Sequence, residues 1–277
     1  MNNRKVGINW VNVKELNCHG TVDIEDVDVV EISLADFDFL KFGEDIVNFA
    51  LTIKENYDIN YTVHAPYQNS YIEKTRVNLS KIDERNIKLM EETIKLSSEI
   101  GAETVVVHAG DAISRGAEEN AVENLKTVCG IASYYGMDIA LENIFTDENG
   151  AKRVGETPQE LLDICDRVSK DNMGVNFDVG HAFISSTRYN LKIEDYFNTL
   201  RNHIIHMHIH NNHGIEKTPW DEHLPLFAGL IDYRELEYLI RGRNIILEIR
   251  AGSTDDISAS LEFIKGKKRL EPLASVA

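Results

Sequence analysis

Cysteine is scarce: Cys18, Cys129 and Cys165 are odd in number and no two share a C-x-x-C spacing, which argues against a disulfide framework and a thiolate zinc site. Apolar runs are short as well. No stretch reaches the ~20 residues that a membrane-spanning helix needs, and the opening MNNRKVGINW has no apolar signal core. A cytoplasmic location with no membrane partner is therefore expected. Positive charge is in deficit too, with 29 Lys and Arg against 46 Asp and Glu and a formal net charge of −17. That balance opposes a broad basic surface for polyanions, whose phosphates normally supply most of the affinity. No Pro- or Gly-rich linker divides the 277 residues, so one domain is expected.

What the chain does have is alternation. β-branched runs at 6–10, 27–33, 59–65, 104–109, 138–144, 173–179, 204–211 and 244–250 read as eight strands. Between them, segments of helical period lie at 44–56, 83–100, 116–135, 158–169, 191–202, 232–241 and 255–265. Thr157 with Glu160 three residues on forms a capping-box signature, and Gly101 and Gly136 suit left-handed helix ends. The crossover at 11–26 is polar and shows no helix. Repeated βα units of this number and total length predict an α/β fold, a (β/α)8 TIM barrel over residues 1–266, with 267–277 as a C-terminal tail.

Potential metal ligands sit at or just past the ends of these apolar runs: His64, His108, Glu142, Asp178, His181, His208, Asp221, His223 and Glu248. VVVH (105–108), IALE (139–142), VNFD (175–178) and IILE (245–248) show the pattern. A parallel barrel brings such strand ends to one rim. Five imidazoles and four carboxylates there would hold one to three divalent cations per chain, zinc or manganese by ligand type.

The seventh run, IIHMHIHNNH (204–213), places His206, His208 and His210 on one face of a strand. By depth, His206 belongs in the packed layer, His208 near the rim, and His210 at or above it, within reach of a substrate. In D-E-H (221–223), Asp221 and His223 can share a cation if the segment is extended. In NFDVGHAF (176–183), Asp178 and His181 can both face the rim if Gly180 allows a sharp turn, although an Asp capping the next helix would look the same.

From about residue 27 to 250 the chain resembles the xylose-isomerase-like barrel superfamily, which includes sugar and sugar-phosphate isomerases and epimerases and the endonuclease IV nucleases of abasic sites. HAPY (64–67), VVVHAG (105–110), ALEN (140–143), FDVGHA (177–182), MHIHNN (207–212), DEHLPL (221–226) and LEI (247–249) carry the resemblance. It implies that Glu142, Asp178, His208 and Glu248 form a metal site common to both branches. It also implies that His64 and His108 share Glu142 with one further zinc of a nuclease-type cluster, and that His181, Asp221 and His223 hold another.

Two chemistries follow. In an isomerase or epimerase, a cation polarises a sugar carbonyl while Glu142 and Glu248 act as the catalytic acid and base through an enediolate. In an abasic-site endonuclease, clustered zinc ions promote phosphodiester hydrolysis in DNA repair, with the carboxylates mainly as ligands. The complete ligand set favours the second. Against it, endonuclease IV proteins typically have Asp-Thr-Cys-His where this chain has Asp178-Val179-Gly180-His181, and His-Leu-Asn-Asp where it has His208-Ile209-His210-Asn211. Their Gly-rich run after the fifth strand is replaced by NIFTDENGAKRVGE (143–156), acidic at its centre.

Sugar isomerases of the superfamily often carry Glu at the end of the second strand, as Glu31 stands here. Glu31, Tyr67, His210, Trp10 and Trp220 are thus candidate substrate-binding residues, the tryptophans better placed to wall off a sugar than to bind a long strand. The sequence expectation is a metal-dependent sugar or sugar-phosphate isomerase or epimerase with a small-molecule partner. The endonuclease, with DNA as partner, is the alternative. A scaffold role would leave costly clustered charge without a chemical use.

Overall fold

The computed structural model describes residues 5–266, so the expected tail at 267–277 lies outside the described residues. Eight parallel strands close on themselves in sequence order: β1 (Val6–Asn9), β2 (Val29–Ser33), β3 (Asn60–His64), β4 (Ala102–Val107), β5 (Asp138–Glu142), β6 (Met173–Asp178), β7 (Ile204–Ile209) and β8 (Ile245–Leu247). The seam forms where Gly7 pairs with Ile246 and Ile8 with Leu247. Closure is tight there. A Cβ on Gly7 would lie 2.4 Å from the Val29 carbonyl oxygen and 2.6 Å from Ile246 Cδ1, so only glycine lets β1 sit between its neighbours.

Around the strands run α1 (Phe39–Asn56), α2 (Glu84–Glu99), α3 (Ala117–Tyr134), α4 (Pro158–Val168), α5 (Val179–Tyr189), α6 (Ile193–Leu200), α7 (Glu237–Ile240) and α8 (Thr254–Ile264). Most begin and end where the residues dictate. Thr157 accepts from the Glu160 N–H while Glu160 accepts from the Thr157 N–H, and Leu161, Ile164, Cys165 and Val168 then form the buried stripe of α4. Gly101 and Gly136 have φ of 72° and 69°, as expected for left-handed caps. Each fully buried aliphatic side chain of such a stripe contributes about 1.5–3 kcal/mol.

Three segments depart from the sequence expectation. The helix expected from 44 starts at Phe39, whose ring is buried against the core. The helix expected over 232–241 is a single turn, because the Asp232 carboxylate accepts from the Arg234 N–H and holds the segment in a turn until Leu236. An entire helix, α5, occupies 179–189 where no helix was expected. The crossover at 11–26 contains two short 3-10 turns and no α-helix. Among the described residues no helix is long and apolar enough to cross a membrane.

Candidate functional site

The C-terminal ends of the strands gather the polar side chains that the sequence distributes over six βα units. His64 ends β3, Glu142 ends β5, Asp178 ends β6, and His208 lies within β7; His108 and Glu248 follow β4 and β8 directly. His181 sits in the first turn of α5, and Asp221 and His223 come from the loop after β7. With His210 they form three groups: His64, His108 and Glu142; Glu142, Asp178, His208 and Glu248; and His181, His210, Asp221 and His223; a fourth among the described residues is Glu31, His206 and His208. Within each group the ligand atoms lie within 4.8 Å of one another.

Glu142 is the hinge of this arrangement. Its Oε2 lies 3.2 Å from His64 Nε2 and 3.3 Å from His108 Nε2, while its Oε1 lies 3.1 Å from His181 Nδ1 and 3.6 Å from His208 Nδ1. His208 Nδ1 also stands 3.2 Å from Glu248 Oε2. Asp178 divides its labour: Oδ1 caps α5 by accepting from the His181 N–H at 2.7 Å, and Oδ2 has no hydrogen-bond partner. The capping and the rim-facing interpretations of Asp178 are both present in one side chain.

The imidazoles are set in the tautomer that ligation requires. His64, His181 and His223 each have Nδ1 against a backbone carbonyl, of Ala65 at 2.9 Å, Asn143 at 3.0 Å and Glu248 at 2.7 Å. A carbonyl only accepts, so Nδ1 carries a proton and Nε2 is the nitrogen turned toward the cluster, that of His223 lying 2.9 Å from Asp221 Oδ2. His208 is inverted: its Nε2 lies 2.9 Å from Glu31 Oε1, and its Nδ1 faces the carboxylates of Glu142 and Glu248. Both Glu142 oxygens, His181 Nε2, His208 Nδ1, both His108 nitrogens and Asp221 Oδ1 are buried without hydrogen-bond partners. Buried polar atoms are rarely left this way. Imidazole and carboxylate donors of this kind fit divalent cations such as zinc or manganese.

Burial alone would drive the carboxylates up and the imidazoles down, but their mutual fields win. His208 and other nearby imidazoles hold Glu142 well below the usual carboxylate range, His223 and His208 do the same to Glu248, and His223 and His181 to Asp221. Conversely Glu31, Glu142 and Glu248 push His208 well above the usual histidine value, and Asp178 and Asp221 push His181 up. Burial prevails at His108 and lowers it. The cluster thus pairs carboxylates with imidazoles whose protons a bound cation would replace.

Above it opens a cavity of about 310 Å³, walled by His64, His108, Glu142, His181, Asp221, His223 and Glu248 together with Tyr67, Phe145 and Arg250. The Tyr67 ring lies 4.5 Å from that of His108, so it reaches the expected pocket. The four other expected substrate contacts do not line this cavity. Glu31 is fully buried beneath His208, hydrogen-bonded to His206 and Thr62 and with its Oε1 2.9 Å from His208 Nε2. Burial would raise its pKa, but His208 and His206 bring it down to about 2. His210 is fully buried, with Nε2 3.3 Å from Asp178 and 3.6 Å from Asp221. Trp10 packs edge-on against Phe37 and lines a separate apolar cavity with Phe42 and Phe49. Trp220 stands outside the cavity wall, where its backbone N–H donates to the Glu148 carboxylate.

Gly180 also behaves differently from expectation. It lies inside α5 and makes no special turn, since the strand passes straight into the helix at Asp178. Two residues escaped the sequence reading. Arg250, two positions past Glu248, places Nη2 3.3 Å from Glu248 and Nη1 3.4 Å from Asp36; the period of two along an extended chain is the signal that could have found it. Asn143, in ALEN, bonds both the N–H and the C=O of Asp178 and fixes that carboxylate and His181 together. Cys129 and Cys165 are buried, and desolvation pushes both thiols up to about 12.

Comparison with known proteins places this architecture. An uncharacterized protein of Methanocaldococcus jannaschii is 28% identical over 235 residues, 79% of this chain and 73% of the relative. A probable endonuclease 4 of Mycoplasmoides gallisepticum is 26% identical over 243 residues, 78% of this chain and 75% of that protein. Among solved structures, a D-tagatose 3-epimerase-like protein superposes with a TM-score of 0.75 at 24% identity, covering 95% of this chain and 96% of the other. The 3-keto-D-glucoside 4-epimerase of E. coli gives 0.67 at 14% identity, covering 95% and 100%. At such identities the structural likeness speaks to fold alone. A family model described as a xylose isomerase-like TIM barrel matches residues 25–267, and the chain belongs to that family.

Proposed function

We propose that this protein is a divalent-cation-dependent phosphodiesterase whose site is built for three ions, with abasic nucleic acid as its substrate class. The observation that carries this is Glu142, a buried carboxylate whose two oxygens face different groups of imidazoles, His64 and His108 on one side and His181 and His208 on the other. A carboxylate so placed serves two neighbouring cation positions and has no oxygen left over for proton transfer. His64, His108 and Glu142 would hold one cation; Glu142, Asp178, His208 and Glu248 a second; His181, Asp221 and His223 a third.

Cations held there supply the Lewis-acid charge that balances the attacking and departing oxygens of a phosphodiester. The chain does the rest. Arg250 points a guanidinium, kept charged by Glu248 and Asp36, along the cavity wall, where it can take a phosphate oxygen. Tyr67, backed by His64 and His108, offers a flat surface for an unstacked sugar or base. Three dications would bring the formal charge from −17 to about −11 and concentrate positive potential in the cavity, which eases approach of an anion to an acidic protein. The probable endonuclease 4 among its relatives fits this chemistry.

The test is incubation of zinc- or manganese-loaded protein with an abasic-site duplex and with bis(p-nitrophenyl) phosphate. Cleavage sensitive to EDTA and lost in Glu142→Gln is the expected result. A second possibility, sugar epimerisation or isomerisation, is favoured by one observation: Glu142 and Glu248 both face His208 Nδ1, at 3.6 and 3.2 Å, as two carboxylates flanking a single cation would. Failure to cleave either ester, with deuterium exchange into a ketose or ketose phosphate, would put that chemistry in its place.

A further inference from the structure

The group formed by His181, Asp221 and His223 contains a fourth donor. His210 is fully buried, and its Nε2 has no hydrogen-bond partner although it lies 3.3 Å from Asp178 Oδ1 and 3.6 Å from Asp221 Oδ1. Its ring stacks on that of His223 at 4.2 Å and meets that of His181 edge-on at 5.6 Å. The opposite nitrogen, Nδ1, faces the Asn211 carbonyl at 3.5 Å, which keeps the proton on that side. His181 Nε2 and Asp221 Oδ1 are likewise buried and without partners. Four donors drawn from three imidazoles and one carboxylate make up a full tetrahedral shell.

Room for this ring comes from Gly180. A Cβ at that position would stand 2.2 Å from His210 Cε1, 2.3 Å from Nε2 and 2.7 Å from Nδ1. Any larger residue would displace the imidazole. Two of the departures from the endonuclease IV pattern, glycine in place of cysteine at 180 and histidine in place of asparagine at 210, are therefore one steric change seen from its two sides.

We propose that His210 is the fourth protein ligand of the cation held by His181, Asp221 and His223, and that Gly180 is the residue that admits it. This rests on the three-ion site proposed above. A shell closed by four side chains leaves no open position for water or substrate, as in structural metal sites. His210 is the one donor of its group off the cavity wall, which His181, Asp221 and His223 line; another group on that wall is His64, His108 and Glu142. That group, with three protein donors, keeps the open position, and the His210 cation fixes the Asp221 loop against α5.

The experiment titrates the metal-free chain with Co²⁺ and follows stoichiometry, affinity by competition with a chromophoric chelator, and the visible absorption of tetrahedral Co²⁺. The chains compared are wild type, His210→Asn, Gly180→Ala and the double variant, with circular dichroism to check folding. Wild type should bind three ions. His210→Asn should keep two at wild-type affinity, weaken the third at least about ten-fold, and lose part of the tetrahedral absorption. Gly180→Ala, which removes no donor atom, should reproduce that loss, and the double variant should be no worse than His210→Asn. Three ions bound by His210→Asn with unchanged affinity and spectrum would overturn the role of His210 alone. Additive losses in the double variant would overturn its coupling to Gly180. Fewer than three ions on the wild-type chain would overturn this proposal and the three-ion site together.

Discussion

An imidazole can ligate only through a nitrogen that carries no proton, and the backbone decides which nitrogen that is. Carbonyls of Ala65, Asn143 and Glu248 take the Nδ1 protons of His64, His181 and His223, whereas His208 has a carboxylate on its far side, Glu31, held in turn by Thr62 and His206. Glu31 is thus a positioning residue for His208. Glu31→Gln should leave the fold intact and weaken the cation shared by Glu142, Asp178, His208 and Glu248 by about 10- to 100-fold, read by chelator competition. Unchanged affinity would mean that Glu31 serves only the packed layer. At this scale His64, His108, Glu142, Asp178, His208 and Glu248 were legible as candidates because each lies at or near the end of an apolar run, whereas His181, Asp221 and His223 come from the α5 turn and the loop after β7. Glu31 was visible as a residue but not as a partner of His208, since strand pairing sets β2 and β7 across the barrel from each other and no local pattern records that. Trp10 was misplaced for a similar reason: its side chain leaves the strand end toward α1, where Phe37 and Phe42 meet it.

Elements were legible where capping chemistry and period agreed. The box at Thr157 and Glu160 opens α4 as expected, and its loss has a defined cost: Thr157→Ala should lower the unfolding free energy by about 1 kcal/mol, seen as a lower urea midpoint. A midpoint equal to that of the unaltered chain would show that the α4 terminus is held by packing alone. The helix that sequence reasoning missed, α5, starts inside the FDVGHA motif, where the residues that face the cluster interrupt the amphipathic period. Asp178 caps it, Gly180 carries no side chain, and His181 turns inward. Function overwrote the local signal there. At 232–236 the opposite occurred: a helical period was present, but the Asp232 side chain bonds its own backbone and delays α7 to a single turn.

For the molecule as a whole, eight strands closing in sequence order convert a list of scattered residues into one cavity floor, with Glu31, His206 and Thr62 buried in the barrel beneath the ionisable cluster. The barrel was readable in the sequence, as was the convergence of the candidate ligands at one rim, because topology alone brings successive strand ends together. The grouping of those ligands was not. That Glu142 sits between two groups, and that His210 joins a third, depends on side-chain directions fixed only by the closed barrel. The number of cations follows from that grouping, and the proposed chemistry follows from the number. Metal content of the protein, purified without chelator and measured by plasma mass spectrometry against amino-acid analysis, is the most direct test. The three groups predict close to three zinc or manganese ions per chain, whereas a single ion, or none after supplementation with either metal, would contradict them.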